Sequence, residues 1–251
     1  MSAPPLALLR PAWNSPNGVH GVSTTRVGGS STAPYLSLNL ATHVGDAARA
    51  VEENRARLSQ ALTLPDPPCW LEQVHGNHVV CVDTRPAVPP QADASWTSVP
   101  GRVCAILTAD CVPVLMCNRN GTVVAAAHAG WRGLANGVLE HTVAALPVQA
   151  DSLLAWVGPA ISAPAYEVDA QVRDALLMRG VCADHFAPTR RGHWLADLNG
   201  AARTLLGNVG VTNIVSSNLC TASDPQAFFS YRRDGETGRQ ATLIWLSASE
   251  C

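Results

Sequence analysis

The chain has 251 residues, 47% apolar and 14% charged, which is enough apolar material to bury one large core or two smaller ones. Its formal net charge is −2, and no basic run exceeds the pairs Arg190-Arg191 and Arg232-Arg233, so it lacks the electrostatic footprint of a nucleic-acid or membrane-surface binder. All 17 basic side chains are arginine. Without lysine there is neither a Schiff-base nucleophile nor the lysine of a phosphate-binding loop, and cationic phosphate contacts must come from arginine, a metal or backbone N–H groups.

From the amino end, Met1 to Leu9 is short and apolar but contains Pro4 and Pro5 and no basic leader, which argues against a signal peptide. The longest nearly apolar stretch, Val103 to Cys117, is interrupted by Asp110 and Pro113 and is too short to span a bilayer. A soluble, cytoplasmic protein is expected. Asp46 is placed to cap a helix over 47–62, with Glu52, Glu53, Arg55 and Arg57 on its wet side. Pro-rich patches at 65–68 and 86–90 mark surface loops.

Short runs rich in Val, Ile, Leu or Ala predict strands at 79–82, 103–107, 112–117, 123–127, 153–157, 214–217 and 241–246. Helices are expected over 134–146, ending before Pro147, and over 169–178 and 197–206, with Gly180 and Gly207 as stops. The 232–238 segment, with Asp234-Gly235 and Thr237-Gly238, reads as a turn between two late strands. Strands alternating with helices imply an α/β or α+β fold. Eight cysteines without a Cys-x-x-Cys pair, Cys81, Cys104 and Cys117 among them in strand-like runs, read as buried free thiols.

Three residues stand at the edges of apolar runs, inside polar or glycine-rich segments: His75 in Gln73-Val74-His75-Gly76, Cys111 in Thr108-Ala109-Asp110-Cys111, and His128 in His128-Ala129-Gly130-Trp131-Arg132-Gly133. Two imidazoles and a thiolate are one ligand short of tetrahedral closure, the pattern of a catalytic rather than a structural zinc site. Zinc there would make hydroxide available at neutral pH, with Asp110 and Glu72 the carboxylates nearest in sequence to the ligands for proton transfer. Such a set suits hydrolytic deamination of an aromatic amine carbon, although the His-x-Glu and Pro-Cys-x-x-Cys signature of zinc deaminases is absent.

His75 and His78 are spaced as His-x-x-His, but on entering a strand the two rings need not face the same way. Gly76 gives His75 the freer backbone, so His75 is the ligand and His78 a surface residue. His43 is a pocket-lining candidate; His20, His141, His185 and His193 read as solvated or core-edge imidazoles. Around Gly130 a strand runs into a glycine turn ahead of a helix, where α/β proteins hold ligands. The helix start and Arg132 suit an anion there. Equally, Gly130 and Gly133 only make the turn and Arg132 pairs with a carboxylate.

Eight segments together carry a family resemblance. Four are Leu71-Glu72-Gln73-Val74-His75-Gly76, Ala92-Asp93-Ala94-Ser95, Thr108-Ala109-Asp110-Cys111-Val112-Pro113-Val114-Leu115 and His128-Ala129-Gly130-Trp131-Arg132-Gly133. The others are Thr25-Arg26-Val27-Gly28-Gly29, Glu53-Asn54-Arg55, Val157-Gly158-Pro159-Ala160-Ile161 and Phe229-Ser230-Tyr231-Arg232-Arg233-Asp234. In this order, from about Gly21 to Leu246, the chain resembles the YfiH-like laccase-domain family.

The resemblance implies a single domain over 1–251 and an α+β fold: a layered α/β/β/α sandwich with mixed β-sheets, like that of the cytotoxic necrotizing factor type. It implies a purine nucleoside phosphorylase that takes adenosine, inosine and methylthioadenosine with phosphate to free base and ribose 1-phosphate, with adenosine deaminase as a side activity. It also implies zinc on His75, Cys111 and His128. Asp110, Cys111, His128 and Arg26 are then the expected catalytic residues. Arg26 beside Gly28-Gly29, Arg132 and Arg232 or Arg233 offer anion contacts, while Trp131, Tyr166, Phe229 and Tyr231 offer surfaces for a base; Arg26, His43, Arg132, Tyr166 and Arg232 are the expected substrate contacts. Ser162-Ala163-Pro164-Ala165-Tyr166 lacks the cysteine that some members carry there.

Members of the family have also been labelled multicopper polyphenol oxidases and likened to cysteine hydrolases. Eight histidines without one His-x-His pair cannot furnish a blue copper plus a trinuclear cluster, though copper can occupy the one three-ligand site. A metal-independent hydrolase would use Cys111 as nucleophile and His128 as base. A non-enzymatic metal or nucleoside binder is the third reading. A monomer or homodimer is expected.

Overall fold

In the computed structural model, which describes residues 5–247, the apolar runs become strands of two packed sheets. In chain order come β1 (Leu8–Leu9), β2 (Val19–Thr24), α1 (Ala48–Leu62), β3 (Val79–Cys81), β4 (Ala94–Thr97), β5 (Val103–Thr108), β6 (Val112–Asn118) and β7 (Val124–Ala129). The chain continues through α2 (Trp131–Ala135), α3 (Val138–Ala145), β8 (Leu153–Val157), β9 (Glu167–Asp169), α4 (Ala170–Met178), β10 (Phe186–Pro188) and β11 (His193–Ala196). It closes with α5 (Leu198–Asn208), β12 (Asn213–Ser216), α6 (Tyr231–Asp234) and β13 (Gln240–Leu246).

One sheet has four antiparallel strands in the order β1-β2-β13-β5. The other has six, β12-β8-β6-β7-β4-β3, antiparallel except for the outer pairs β12/β8 and β3/β4. A small sheet β10-β11-β9 stands apart from both.

Three cores define the layers. Along β5, Val103, Ala105 and Leu107 point outward and pack with Leu58 of α1, while Cys104 and Ile106 point inward to Leu115 and Cys117 of β6 and Val124 and Ala126 of β7. The alternate β6 residues Val112, Val114 and Met116 face Val138, Leu139, Leu176 and Leu205 on α3, α4 and α5. The result is the expected α/β/β/α sandwich, in which the six-stranded sheet is mixed and the four-stranded one antiparallel. Every residue of β5, β6 and β7 is buried, because each strand has a covered face on both sides. That is why these strands read as continuous apolar runs rather than as alternation.

Several expectations need correction. Asp46 does not cap α1. Its carboxylate accepts from Ser31 Oγ and Asn39 Nδ2, tying down the loop ahead of the helix, and Ala47 holds the cap position without a side-chain bond. Arg55 is not on the wet side of α1 but half-buried over Trp70. The single helix expected over 134–146 is two: α2 ends at Ala135 with Asn136 as its cap, and Gly137, at φ 83°, separates it from α3. Gly207 lies inside α5 and is not its stop. The segment 232–238 is not a hairpin turn, since Tyr231–Asp234 form the short α6 and only β13 follows. Pro113 lies within β6, opposite His128. Cys81 is exposed, whereas among the described residues Cys69, Cys104 and Cys117 are the buried thiols. Asp169 and Asp197, expected as the first residues of their helices, are the N-caps, their side chains accepting from Val172 N and Gly200 N. Among the described residues, no helix is long and apolar enough to cross a membrane.

Candidate active site

The site forms where the chain passes from one sheet to the other. β5 ends in the four-stranded sheet at Thr108, and β6 begins in the six-stranded sheet at Val112. Ala109, Asp110 and Cys111 make the crossing. Asp110 adopts φ 96°, a conformation that costs a non-glycine residue on the order of 1–3 kcal/mol and persists only when held. It is held: Oδ1 accepts from Thr221 Oγ1 at 2.6 Å, Oδ2 from Ser230 Oγ at 3.0 Å and Arg232 N at 2.7 Å, and its carbonyl from Ile161 N at 2.9 Å. The Asp110 carboxylate is thus turned to α6 and the 221 loop. It does not line the cavity that holds the other expected catalytic residues Cys111 and His128. Glu72 is exposed and lines a neighbouring hollow, not the cavity of the triad.

Cys111, fixed by this crossing, meets His128 near the end of β7 and His75 on the loop before β3. Their donor atoms all lie within 4.8 Å of one another, with Cys111 Sγ 3.9 Å from His75 Nε2 and the two imidazoles edge to face at 4.8 Å between centroids. Gly130 is required here, because a Cβ at that position would stand 2.9 Å from Cys111 Sγ and 3.1 Å from His75 Cδ2.

Asp93, immediately before β4, organises the triad. Its carboxylate is fully buried and accepts from Val74 N (3.2 Å), His75 N (2.9 Å), Gly76 N (2.7 Å) and His128 Nδ1 (2.8 Å). The convergence of three successive N–H groups is possible because His75 itself turns to φ 59°. Burial by itself would raise the Asp93 pKa, but the bonds from His128, Gly76 and Val74 hold the carboxyl below the usual range. Gln73 fastens the same loop to β5, its amide donating to Leu107 O at 2.8 Å and accepting from Leu107 N at 2.7 Å.

Burial opposes charge on both Cys111 and His128, yet each ionises the other. The thiol is brought down to about 6 by the neighbouring imidazoles, and His128 is lifted to about 9 by Cys111 and Asp93. The donor chemistry fits a zinc-type ion. Two imidazole nitrogens and a thiolate converge, the second nitrogen of His128 is oriented by a carboxylate as metal-bound histidines require, and a fourth position stays open. Among the described residues this is the one cluster of three such donors.

The triad forms the floor of a cavity of about 420 Å3, walled by His43, Gln73, Leu107, Thr108, Arg132, Tyr231 and Arg239. His43 and Arg132 are therefore where the sequence suggested. Arg26 is not. Its Nε and Nη1 donate to Leu36 O and Pro225 O, it covers Phe229, and it lines a separate surface hollow. The N–H groups of Gly28 and Gly29 are bound to Ser37 Oγ and do not face an anion.

Arg232 lies over Tyr166 with Nη1 on Glu167 O, and neither Arg232 nor Tyr166 lines the cavity. Arg233 pairs with Asp234 and ties Thr221, Ala222 and Phe228 carbonyls, a structural role. Phe229 is core and Trp131 lies beneath Arg132, which leaves Tyr231 as the cavity's aromatic among those expected. His78 is exposed.

Asp93 and Arg239 escaped the sequence reading. A signal existed for Asp93, an acid enclosed by small residues in Ala92-Asp93-Ala94, since a carboxylate entering a core must be paired. None existed for Arg239, which is carried into the cavity by the head of β13.

This geometry defines the protein as an α/β/β/α sandwich with a His/Cys/His cluster, able to hold a metal ion, at the crossing between its sheets. Comparison with known proteins gives the family. The family model described as multi-copper polyphenol oxidoreductase laccase matches residues 20–247. Purine nucleoside phosphorylase YfiH of Escherichia coli (strain K12) is 50% identical over 239 residues, covering 95% of this chain and 98% of that protein. Purine nucleoside phosphorylase PA4543 of Pseudomonas aeruginosa is 51% identical over 242 residues, covering 96% and 98%. Among solved structures, Neisseria meningitidis protein NMB0706 superposes with a TM-score of 0.92 at 46% identity, covering 96% of this chain and 99% of that one. YlmD from Geobacillus stearothermophilus gives 0.91 at 32%, covering 99% and 98%. The chain belongs to the YfiH-like laccase-domain family.

Proposed function

We propose that the protein is a zinc-dependent purine nucleoside phosphorylase, converting adenosine, inosine or methylthioadenosine and phosphate to free base and ribose 1-phosphate, with adenosine deamination as a second activity. The observation that carries this reading is one cavity holding both an open three-donor site and two arginines, Arg132 and Arg239. The purine nucleoside phosphorylases of E. coli and P. aeruginosa, half identical over nearly their whole length, support it.

His75, Cys111 and His128 would hold the ion, which supplies a Lewis-acid pole with one open position. Asp93 keeps His128 presenting its other nitrogen. Arg132 and Arg239 hold phosphate, replacing Arg26 in that role. Arg239 is anchored for this by Nη1 on Thr237 O and Gly238 O. The attack of a phosphate oxygen on the anomeric carbon breaks the bond to the purine, which leaves with a proton. His43 is held below its ordinary pKa by burial and then by Arg239 and Arg55, so it faces the base as a neutral hydrogen-bonding group. Tyr231 offers a face for base or ribose.

Product analysis decides the reading. Adenosine with phosphate should give adenine and ribose 1-phosphate, adenosine without phosphate should give inosine, and chelation should stop both. Release of neither base nor inosine under any metal loading rejects it.

A second reading has one specific observation behind it: Cys111, His128 and Asp93 form a thiolate, imidazole and carboxylate chain, the arrangement of a cysteine hydrolase. That chemistry survives chelation, and retained turnover in metal-stripped protein would favour it. A single triad gives no place for a multicopper set. Copper on the triad would account for polyphenol oxidation, and phenol turnover by copper-free protein would reject that account.

A further inference from the structure

A second hollow adjoins the triad cavity across a shared wall of His43, Gln73 and Leu107. At about 660 Å3 against about 420 Å3 it is the larger of the two, and it contains none of the three donors. Both volumes fall within the range of small-molecule sites, about 300–1,000 Å3.

Its lining is specific. Trp70, Leu71, Val74, Val88 and Pro89 make it apolar, and Arg55 sets a cation in it. The guanidinium carbon lies 4.3 Å from the Trp70 ring centroid, and Nε donates to Leu40 O at 2.9 Å. No carboxylate pairs with Arg55 among the described residues. Burial pulls its pKa down to about 10, so it remains a cation at neutral pH. A partly buried cation with no counter-ion carries a desolvation cost that an anionic ligand offsets. Glu72 is the one acid on this wall and is exposed. Across the two chambers, Arg55, Arg132 and Arg239 therefore face a single carboxylate beyond the triad's own partners.

We propose that the second hollow is a subsite for the anionic arm of an extended ligand, a nucleoside esterified with phosphate at its 5′ position. Base and ribose occupy the triad cavity and the 5′-phosphate lies on Arg55. The proposal rests on the nucleoside reading of the triad cavity.

Rapid-mixing binding of adenosine and of adenosine 5′-monophosphate to the full chain, read by tryptophan fluorescence before turnover, each with and without saturating orthophosphate, tests it. The monophosphate should bind about tenfold tighter than adenosine, the increment of one charge-assisted contact. That preference should persist under orthophosphate. It should fall toward parity in Arg55→Gln and shrink in Val88→Asp, which places a carboxylate at a position 72% exposed and outside the packed cores.

Parity in the unmodified protein overturns the subsite. So does a preference abolished by orthophosphate, which would put the phosphate with Arg132 and Arg239, or a preference undiminished in both variants. Adenosine that fails to bind at all overturns the nucleoside reading and the subsite with it, whereas adenosine binding without the preference overturns the subsite alone.

Discussion

Asp93 serves two segments with one carboxylate, gripping the His75 loop through three backbone N–H groups and orienting His128 through Nδ1. Outer partners of this kind are worth about 10–100-fold in metal affinity. Asp93→Asn should weaken zinc binding by that factor in a chelator competition, and unchanged affinity would show that His128 needs no such support. The charges on the triad predict a pH dependence. His128 is raised to about 9, so at pH 7 it carries a proton that must leave when a metal binds. Apparent zinc affinity should therefore rise by about tenfold per pH unit between roughly pH 7 and 9 and fall as pH drops, with protons released into a weakly buffered solution. Affinity flat across that window would mean the imidazole is already neutral.

The backbone at the element scale explains what could be read in advance and what could not. β8 falls at the predicted residues, and β5, β6, β7 and β13 fall within two residues of prediction, because each is a short apolar run bounded by polar residues. The triad was legible for a related reason: a histidine or cysteine at the edge of such a run marks a strand end. The polar Asp110-Cys111 step separates the two strands predicted at 103–107 and 112–117. It is the crossing between two strands in different sheets, a difference of topology that spacing does not carry.

Arg26 misled because an arginine beside glycines looks like an anion site. Here the glycine N–H groups close on Ser37, and Gly29 is pressed so tightly against the 37–38 backbone that a Cβ would stand 2.0 Å from Ser37 O. β2 was missed because Gly21 and its polar positions dilute the strand pattern. Gly130 gives the element-scale test. Gly130→Ala drives a methyl into Cys111 Sγ and His75, so it should lower metal content and activity while secondary structure, read by circular dichroism, stays intact. Full metal loading in that variant would show that the loop has slack.

Across the whole molecule, stability resides in three stacked cores and not in the triad. Leu115, fully buried between the sheets, belongs to the middle one. Leu115→Ala should cost about 2–5 kcal/mol in denaturant unfolding. Removing metal should, by contrast, abolish turnover and leave a folded protein with cooperative unfolding, because no core contains a triad donor. Collapse on chelation would mean that the ion is structural. The α/β/β/α order of layers followed from the family resemblance, whereas the composition alone gave only an alternation of strands and helices.

The crossing at Ala109–Cys111 has a mechanical consequence. Cys111 lies on the covalent crossing between the two sheets, His128 belongs to the six-stranded one, and the His75 loop is tied to both, through Gln73 to Leu107 of β5 and through Asp93 to the head of β4. The three donors are thus a gauge of the offset between the sheets, and shear of one sheet past the other changes their spacing before it disturbs either hydrogen-bonded ladder. An ion seated among them acts as a rivet. Amide hydrogen exchange in β5 and β7, which share no ladder, should slow together when it binds and quicken together when it leaves.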